Sequence, residues 1–310
     1  MLAIQIQGLS KAYPVGFWKK QLRPALTGLD LSVECGETFG FLGPNGAGKT
    51  TTLKLLMGII FPTSGSAQIL GKDINDPEIK RKIGFLPEQP YFYDYLSAPE
   101  LLDYYAGLSG VSSADRAKRV PELLERVGLR DAGNKQLRTF SKGMLQRVGI
   151  AQAIVHDPQV IFLDEPMSGL DPLGRYEVRE LIQGLKDAGK TIFFSTHILS
   201  DAEALCDRVA VIHKGELRGV GVVSELRSST AGKTEVVWQG AEALAAVARY
   251  ALESHVTGDT VRATVQSESL DPVLEGLRQQ RARLVSVTPL HGTLEEYFLS
   301  KTSQQETVRA

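Results

Sequence analysis

The sequence predicts an α/β fold: a buried, largely parallel sheet carrying helices, opened by an antiparallel strand pair and interrupted by a helical subdomain. A small α+β domain follows it. Three observations carry this prediction. Apolar runs of strand length recur at residues 38–42, 160–163 and 191–195, the pattern of strands buried on both faces. Stretches at helical spacing lie between them. The chain opens Met1-Leu2-Ala3-Ile4-Gln5-Ile6-Gln7, which alternates as a half-buried strand does.

The elements follow in order. Residues 3–9 and 26–34 read as the antiparallel pair. Between them, Lys11 to Arg23 holds Tyr13, Phe17, Trp18, Lys19 and Lys20 and reads as a loop. It is either a solvated hairpin tip or a contact for lipid headgroups or a partner. Pro62, Gly65, Gly71 and Pro77 punctuate residues 61–90, which predicts short strands and turns, ending in a strand at 83–86. Residues 90–158 read as the helical subdomain, with Leu101, Leu102, Tyr105 and Leu108 at helical spacing, then Leu123, Leu124 and Val127. The α/β alternation resumes with a helix over 173–188, a helix from about Ser200 and a strand over 208–212. The first domain is read as residues 1–228.

Ser228-Ser229-Thr230-Ala231-Gly232-Lys233 reads as a linker to a second domain over 233–303, with a tail at 304–310. Strands are expected at 235–238, 261–265 and 283–287, and helices at 241–252, 272–280 and 294–299. A ferredoxin-like βαββαβ order results if residues 254–256 add a strand. This region holds no nucleotide, metal or nucleophile motif, so a structural or regulatory role is expected.

Chemistry concentrates upstream. Gly43-Pro44-Asn45-Gly46-Ala47-Gly48-Lys49-Thr50 fits the P-loop pattern G-x-x-x-x-G-K-[ST] between a strand and a helix. The glycines let backbone N–H groups curl around phosphate oxygens, and the helix adds the positive end of its dipole. Lys49 supplies a cation to the outer phosphates. Thr50 offers a hydroxyl to Mg²⁺, and Thr51 a donor to an inner phosphate. Downstream, Asp164 and Glu165 end the run Val160-Ile161-Phe162-Leu163. Asp164 is positioned to hold Mg²⁺, and Glu165 to accept a proton from an attacking water.

Composition sets bounds. The 310 residues carry a net charge of −1, which gives no reason to expect nucleic acid as a partner. The two cysteines, Cys35 and Cys206, have no zinc-like spacing and are expected to be buried small hydrophobes in a reducing compartment. No signal peptide is read at the N-terminus, and no apolar run approaches the ~18 residues of a membrane span.

With these motifs in place, the chain resembles the ATP-binding subunits of ABC transporters over residues 3–225. Phe140-Ser141-Lys142-Gly143-Met144-Leu145-Gln146-Arg147 stands where that family carries L-S-G-G-Q followed by Q-R. Lys142 and Met144 depart from it, as in ABC-2-type exporter ATPases. Met167-Ser168-Gly169-Leu170-Asp171 resembles the D-loop, Ser195-Thr196-His197 the H-loop, Pro87-Glu88-Gln89 the Q-loop and Leu9-Ser10-Lys11-Ala12-Tyr13 the A-loop. Pro289 to Leu299 is similar to the P-S-L-E-D-V-F-L ending of such ATPases.

The resemblance implies a head-to-tail pair of ATPase subunits, a homodimer or a pairing with a second subunit. In it, Ser141, Gly143 and Asp171 meet the nucleotide held by the other copy. It also implies Tyr13 stacked on adenine, Gln89 at the metal and the reacting phosphate, and His197 beside the γ-phosphate. A separate transmembrane permease would select the cargo, with this subunit on the cytoplasmic face of the membrane. Tyr91, Phe92, Tyr93 and Tyr95 either pack within the subdomain or form a groove for a permease helix. Two other readings are a non-transport ATPase of the same fold and a module that holds ATP without turnover. The other histidines, His156, His213, His255 and His291, have no motif context and are expected to be structural or at the surface.

Overall fold

The computed structural model describes residues 1–16, 21–228 and 232–290. These form two compact units, which divide at Gly221/Val222. In the first unit, β1 (Leu2–Val15) and β2 (Gln21–Glu34) pair antiparallel. β3 (Thr38–Leu42) leads to α1 (Lys49–Leu56), β4 (Ser64–Ile69) and β5 (Lys72–Asp73), then β6 (Ile83–Leu86). The helical segment contains α2 (Ala98–Leu108), α3 (Ser113–Arg126) and α4 (Lys142–Ile154). β7 (Val160–Asp164), α5 (Pro172–Asp187), β8 (Thr191–Thr196), α6 (Leu199–Leu205), β9 (Arg208–His213) and β10 (Glu216–Val222) follow.

Two sheets result. One has the order β2-β1-β4-β5, and the other β10-β9-β3-β8-β7-β6. In the second, β9, β3, β8, β7 and β6 run parallel. Every residue of β3, β7 and β8 is buried, which accounts for their largely apolar character. Phe39, Phe193 and Phe162 are in register across these strands, with ring centres 5.7 and 5.8 Å apart. Burying rings of this size stabilises the sheet by about 1.5–3 kcal/mol each. The carboxyl ends of β3, β7 and β8 lie level, with Leu42 beside Thr196 and Asp164 beside Ser195. In open α/β sheets, ligands bind outside such ends.

The segment read as a loop over 11–23 is largely strand. β1 and β2 stay paired out to Val15 and Gln21, with Tyr13 opposite Arg23. Pairing with β4 stops at Ser10. Beyond it the pair is a two-stranded ribbon, where Pro14 and Pro24 need no third strand to receive their missing N–H groups. Phe17, Trp18, Lys19 and Lys20 lie outside the described residues. Cys206 is buried as expected but Cys35 is exposed, because it sits in the turn between β2 and β3. Leu101 and Leu102 are fully buried, whereas Leu108 at the end of α2 is exposed. His156 is structural: its Nε2 lies 2.9 Å from the carbonyl oxygen of Ile83.

The second unit begins with α7 (Val223–Ser228), followed by β11 (Lys233–Gln239), α8 (Leu244–Val247), β12 (Ala251–Thr257), β13 (Thr260–Gln266), α9 (Leu270–Gln279) and β14 (Arg283–Leu290). Its sheet has the order β12-β13-β11-β14, with every neighbour antiparallel. Trp238, Val236, Val261, Ala263 and Val273 form its core. The helix read over 241–252 is instead two short 3-10 turns flanking α8, and the chain is a strand from Ala251. The alanine-rich stretch stays helical through Tyr250, and only Ala251 and Leu252 pass to β12, which completes the edge beside β13. The helix read at 294–299, the ending from His291 and the tail lie outside the described residues.

Candidate functional site

The turn after β3 is shaped by contacts that only glycine permits. A Cβ on Gly43 would lie 2.4 Å from the carbonyl oxygen of Ile212. Gly48 caps α1 in the left-handed region at φ 112°, and a Cβ there would lie 2.7 Å from the carbonyl oxygen of Ala25. The first N–H groups of α1 have no partner within the helix. They open with Lys49, Thr50 and Thr51 onto a cleft of about 400 Å³, also lined by Pro44, Asn45, Gly46, Gly48, Glu88 and Glu165. This is a cradle suited to phosphate oxygens. Ala47 is buried and acts through its backbone, its carbonyl accepting from the N–H of Gly215 at 2.8 Å.

Lys49 reaches back through the cradle. Its Nζ donates to the carbonyl of Gly43 at 2.7 Å and of Pro44 at 3.3 Å. It also lies 3.1 Å from Oε1 of Glu165, both side chains being 6% exposed. That approach is an ion pair without hydrogen-bond alignment, since Oε1 is buried and accepts no hydrogen bond. The other oxygen, Oε2, lies 2.8 Å from Nδ1 of His197. A carboxylate acceptor assigns the proton of the neutral ring to Nδ1.

Glu165 itself has φ 47°, the left-handed region that costs a non-glycine residue about 1–3 kcal/mol. The strand ends hold it there. Its N–H donates to the carbonyl and to Oγ of Ser195, at 3.1 and 3.2 Å. Ser195 Oγ in turn donates to Oδ1 of buried Asp164 at 2.5 Å. Ser195 thus fixes both acids. The sequence reading gave it no such role, although a hydroxyl closing an apolar strand was visible.

The remaining expected residues are placed as follows. Gln89 is exposed and is not among the cleft-lining residues, where its neighbour Glu88 stands instead. Ser141 is the N-cap of α4, accepting from the N–H of Met144 at 3.3 Å. Gly143 faces open space. Asp171 is the N-cap of α5, accepting from the N–H of Gly174 at 3.2 Å. None of these three lines the cleft of its own chain. Tyr13 lines a second recess of about 390 Å³ with Arg23, Pro24, Ala25, Gly46 and Lys214. Ala25 and Gly46 are common to both recesses. Tyr91, Phe92, Tyr93 and Tyr95 line a third cleft of about 420 Å³ with Leu137, Arg138 and Leu145. Tyr91 is 98% exposed, so packing within the subdomain is not its role.

A P-loop cradle, an acid pair at the neighbouring strand end and a histidine on the acid form one arrangement, and the chain that carries it is similar to known proteins. The ABC transporter family model matches residues 26–168. An uncharacterised ABC transporter ATP-binding protein of Synechocystis sp. is 46% identical over 299 residues, 96% of this chain and 84% of the relative. This chain belongs to the ABC transporter ATP-binding proteins. It is the ATP-binding, ATP-hydrolysing subunit of such a transporter. The daunorubicin resistance ATP-binding protein DrrA3 of Streptomyces coeruleorubidus is 33% identical over 316 residues, covering 99% of this chain and 98% of that one. Among solved structures, the dimeric post-hydrolysis state of the ATP-binding cassette MJ0796 bound to ADP and Pi is similar. Its TM-score is 0.65 at 28% identity, over 71% of this chain and 98% of that chain. No helix among the described residues of the ABC subunit is long and apolar enough to cross a membrane.

Proposed function

We propose that this subunit powers an ABC-2-type exporter: two copies close head to tail on two ATP molecules, and hydrolysis reopens them. The observation that carries the reading is Glu165, buried at a strand end between Lys49 and His197. Lys49 binds the outer phosphates of ATP. Glu165 orients water and takes its proton as the new P–O bond forms and the bond to the leaving ADP breaks. His197 holds the Glu165 carboxylate through Nδ1–H and stands by the γ-phosphate. Ser141 and Gly143, at the start of α4, meet the phosphate held by the other copy, and Asp171 lies at the same interface. Tyr13 is the platform for adenine.

Magnesium fits the donor set. Thr50 offers a hydroxyl and Asp164 a buried carboxylate, an all-oxygen pair, and magnesium is held by one or two carboxylates together with substrate phosphates. Gln89 completes the expected set from the exposed segment beside Glu88. Held by Thr50 and Asp164, such an ion would supply positive charge to offset that of the phosphates.

Several observations support the assembly. The MJ0796 cassette is dimeric in its ADP-bound form, and DrrA3 is named for drug resistance. The exposed aromatic cleft at Tyr91 to Tyr95 suits a helix from a separate permease, which would hold this chain on the cytoplasmic face of the membrane. The ATPase domain is read as residues 1–228. The sheet order β12-β13-β11-β14 with two crossover helical segments supports a ferredoxin-like accessory domain over 233–303.

The test is size-exclusion chromatography with light scattering on Glu165→Gln, with and without Mg-ATP. A dimer that needs ATP and is lost in Ser141→Ala/Glu165→Gln is expected. A dimer indifferent to both ATP and Ser141 would overturn the head-to-tail reading.

A further inference from the structure

Apart from Tyr13 and Gly46, the recess that holds Tyr13 is lined by residues that no motif marks. Tyr13 and Arg23 are directly opposite each other on β1 and β2, so their side chains leave the ribbon on the same face. The Lys11 ammonium lies over the Tyr13 ring, 5.3 Å from its centre, and donates to the carbonyl of Phe61 at 2.7 Å. The ring is thereby backed by a fixed cation. Lys214 comes from the turn between β9 and β10, in the left-handed region at φ 51°.

That turn is tied to the phosphate cradle. The N–H of Gly215 donates to the carbonyl of Ala47, and the carbonyl of Gly215 accepts from Thr27 on β2, both at 2.8 Å. A Cβ on Gly215 would come within 2.9 Å of the carbonyl oxygen of Ala25. The turn, β2 and the P-loop therefore meet at one close-packed junction, which fixes the backbone of Lys214 relative to the cradle. Among the described residues, neither the Arg23 nor the Lys214 side chain has an ion pair or hydrogen bond within the chain. Two cations stand unpaired on the wall of a recess that shares Ala25 and Gly46 with the phosphate cleft.

The geometry points to Arg23 and Lys214 as nucleotide-binding residues that grip the nucleoside end of ATP, resting on the reading of Tyr13 as the base platform. Both side chains are donors only. The nucleoside end offers acceptors: the ring nitrogens of the base and the oxygens of the ribose. A guanidinium beside an aromatic shelf also lies flat against a base. Nucleotide contacts then span the whole cleft, from Lys49 on the outer phosphates to Lys214 and Arg23 at the base.

The test compares two ligands on the full-length chain by titration calorimetry: ATP, and inorganic tripolyphosphate, which carries the phosphates without the nucleoside. Arg23→Ala and Lys214→Ala are each expected to weaken ATP binding about three- to tenfold, the size of a net hydrogen bond. Tripolyphosphate binding should be unchanged. The double variant should lose roughly the product of the two factors, and Lys214→Arg should retain ATP affinity. Unchanged ATP affinity in the double variant would overturn the proposal. So would equal losses for both ligands, which would mark a general field or a damaged cradle. The phosphate-cradle reading fails separately, if Lys49→Ala leaves binding of tripolyphosphate intact.

Discussion

Replacing Glu165 by Gln separates two functions of one carboxylate. The side chain faces Lys49 at 3.1 Å with both groups 6% exposed. Two unit charges at that separation attract by about 5 kcal/mol at an effective dielectric of 20, and most of this offsets the cost of burying them. Removing one partner of such a pair costs about 3–5 kcal/mol. The lower end applies here, because Lys49 keeps the carbonyls of Gly43 and Pro44. Without nucleotide, the variant should therefore unfold several degrees below wild type. With Mg-ATP the order should reverse. A polyphosphate supplies Lys49 with charge, and the amide no longer repels the γ-phosphate. The variant should bind ATP more tightly and show the larger nucleotide-dependent rise in Tm. Turnover should fall by about 10²–10⁴, the usual weight of a general base. The assays are thermal unfolding with and without Mg-ATP and steady-state phosphate release. Wild-type turnover in the variant would refute the role as base. An unchanged Tm without nucleotide would refute the energetic argument from the ion pair.

Lys49→Ala should abolish tight ATP binding, and unchanged affinity by calorimetry would contradict the cradle. His197→Ala should leave ATP binding nearly intact and suppress steady-state hydrolysis, because the Glu165 carboxylate loses its Nδ1–H partner. His156 is held below the ordinary 6.5, chiefly by burial and further by Arg119 and Lys190, against the Ile83 carbonyl and Asp157. The unfolded chain then binds the proton more readily, so stability is full above about 6.5 and falls as pH drops through 6.5 towards the folded value. Urea midpoints at pH 7.5 and 5.5 should diverge less in His156→Gln than in wild type, and equal divergence would refute it. A chain ending at residue 228 should still bind ATP, since every motif lies upstream. Loss of binding in a soluble, folded truncation would contradict that boundary.

Legibility differed by element for physical reasons. β3, β7 and β8 were readable because strands buried on both faces are apolar over most of their length, and the P-loop because close phosphate approach demands glycines at fixed spacing. Over 241–252 only the end was misplaced: the chain is helical through Tyr250, and Ala251 and Leu252 pass to β12, whose pairing with β13 is a long-range fact. The ribbon beyond Ser10 was misread as a loop because its prolines and charges are turn-like, and a two-stranded extension needs little apolar surface.

The site shows the same division at a finer scale. Motifs identified Lys49, Asp164, Glu165 and His197 singly, but their meeting depends on the strand order β3-β8-β7. That order sets three loops from distant parts of the sequence side by side. It also explains Ser195. A hydroxyl near the end of β8 sits between Asp164 of β7 and Glu165 after it because Asp164 and Ser195 are in register. There it accepts from the Glu165 N–H while donating to Asp164. That brace acts with the Ser195 carbonyl, which also accepts from the Glu165 N–H, to hold the left-handed backbone of Glu165. Arg23 and Lys214 were invisible for the opposite reason. Each is an ordinary surface cation in its own segment, and only the junction of the β9–β10 turn with β2 and the P-loop makes them neighbours of one recess. Chemistry that rests on one short segment is written in the sequence as a motif, whereas chemistry assembled from three segments is written only in their packing.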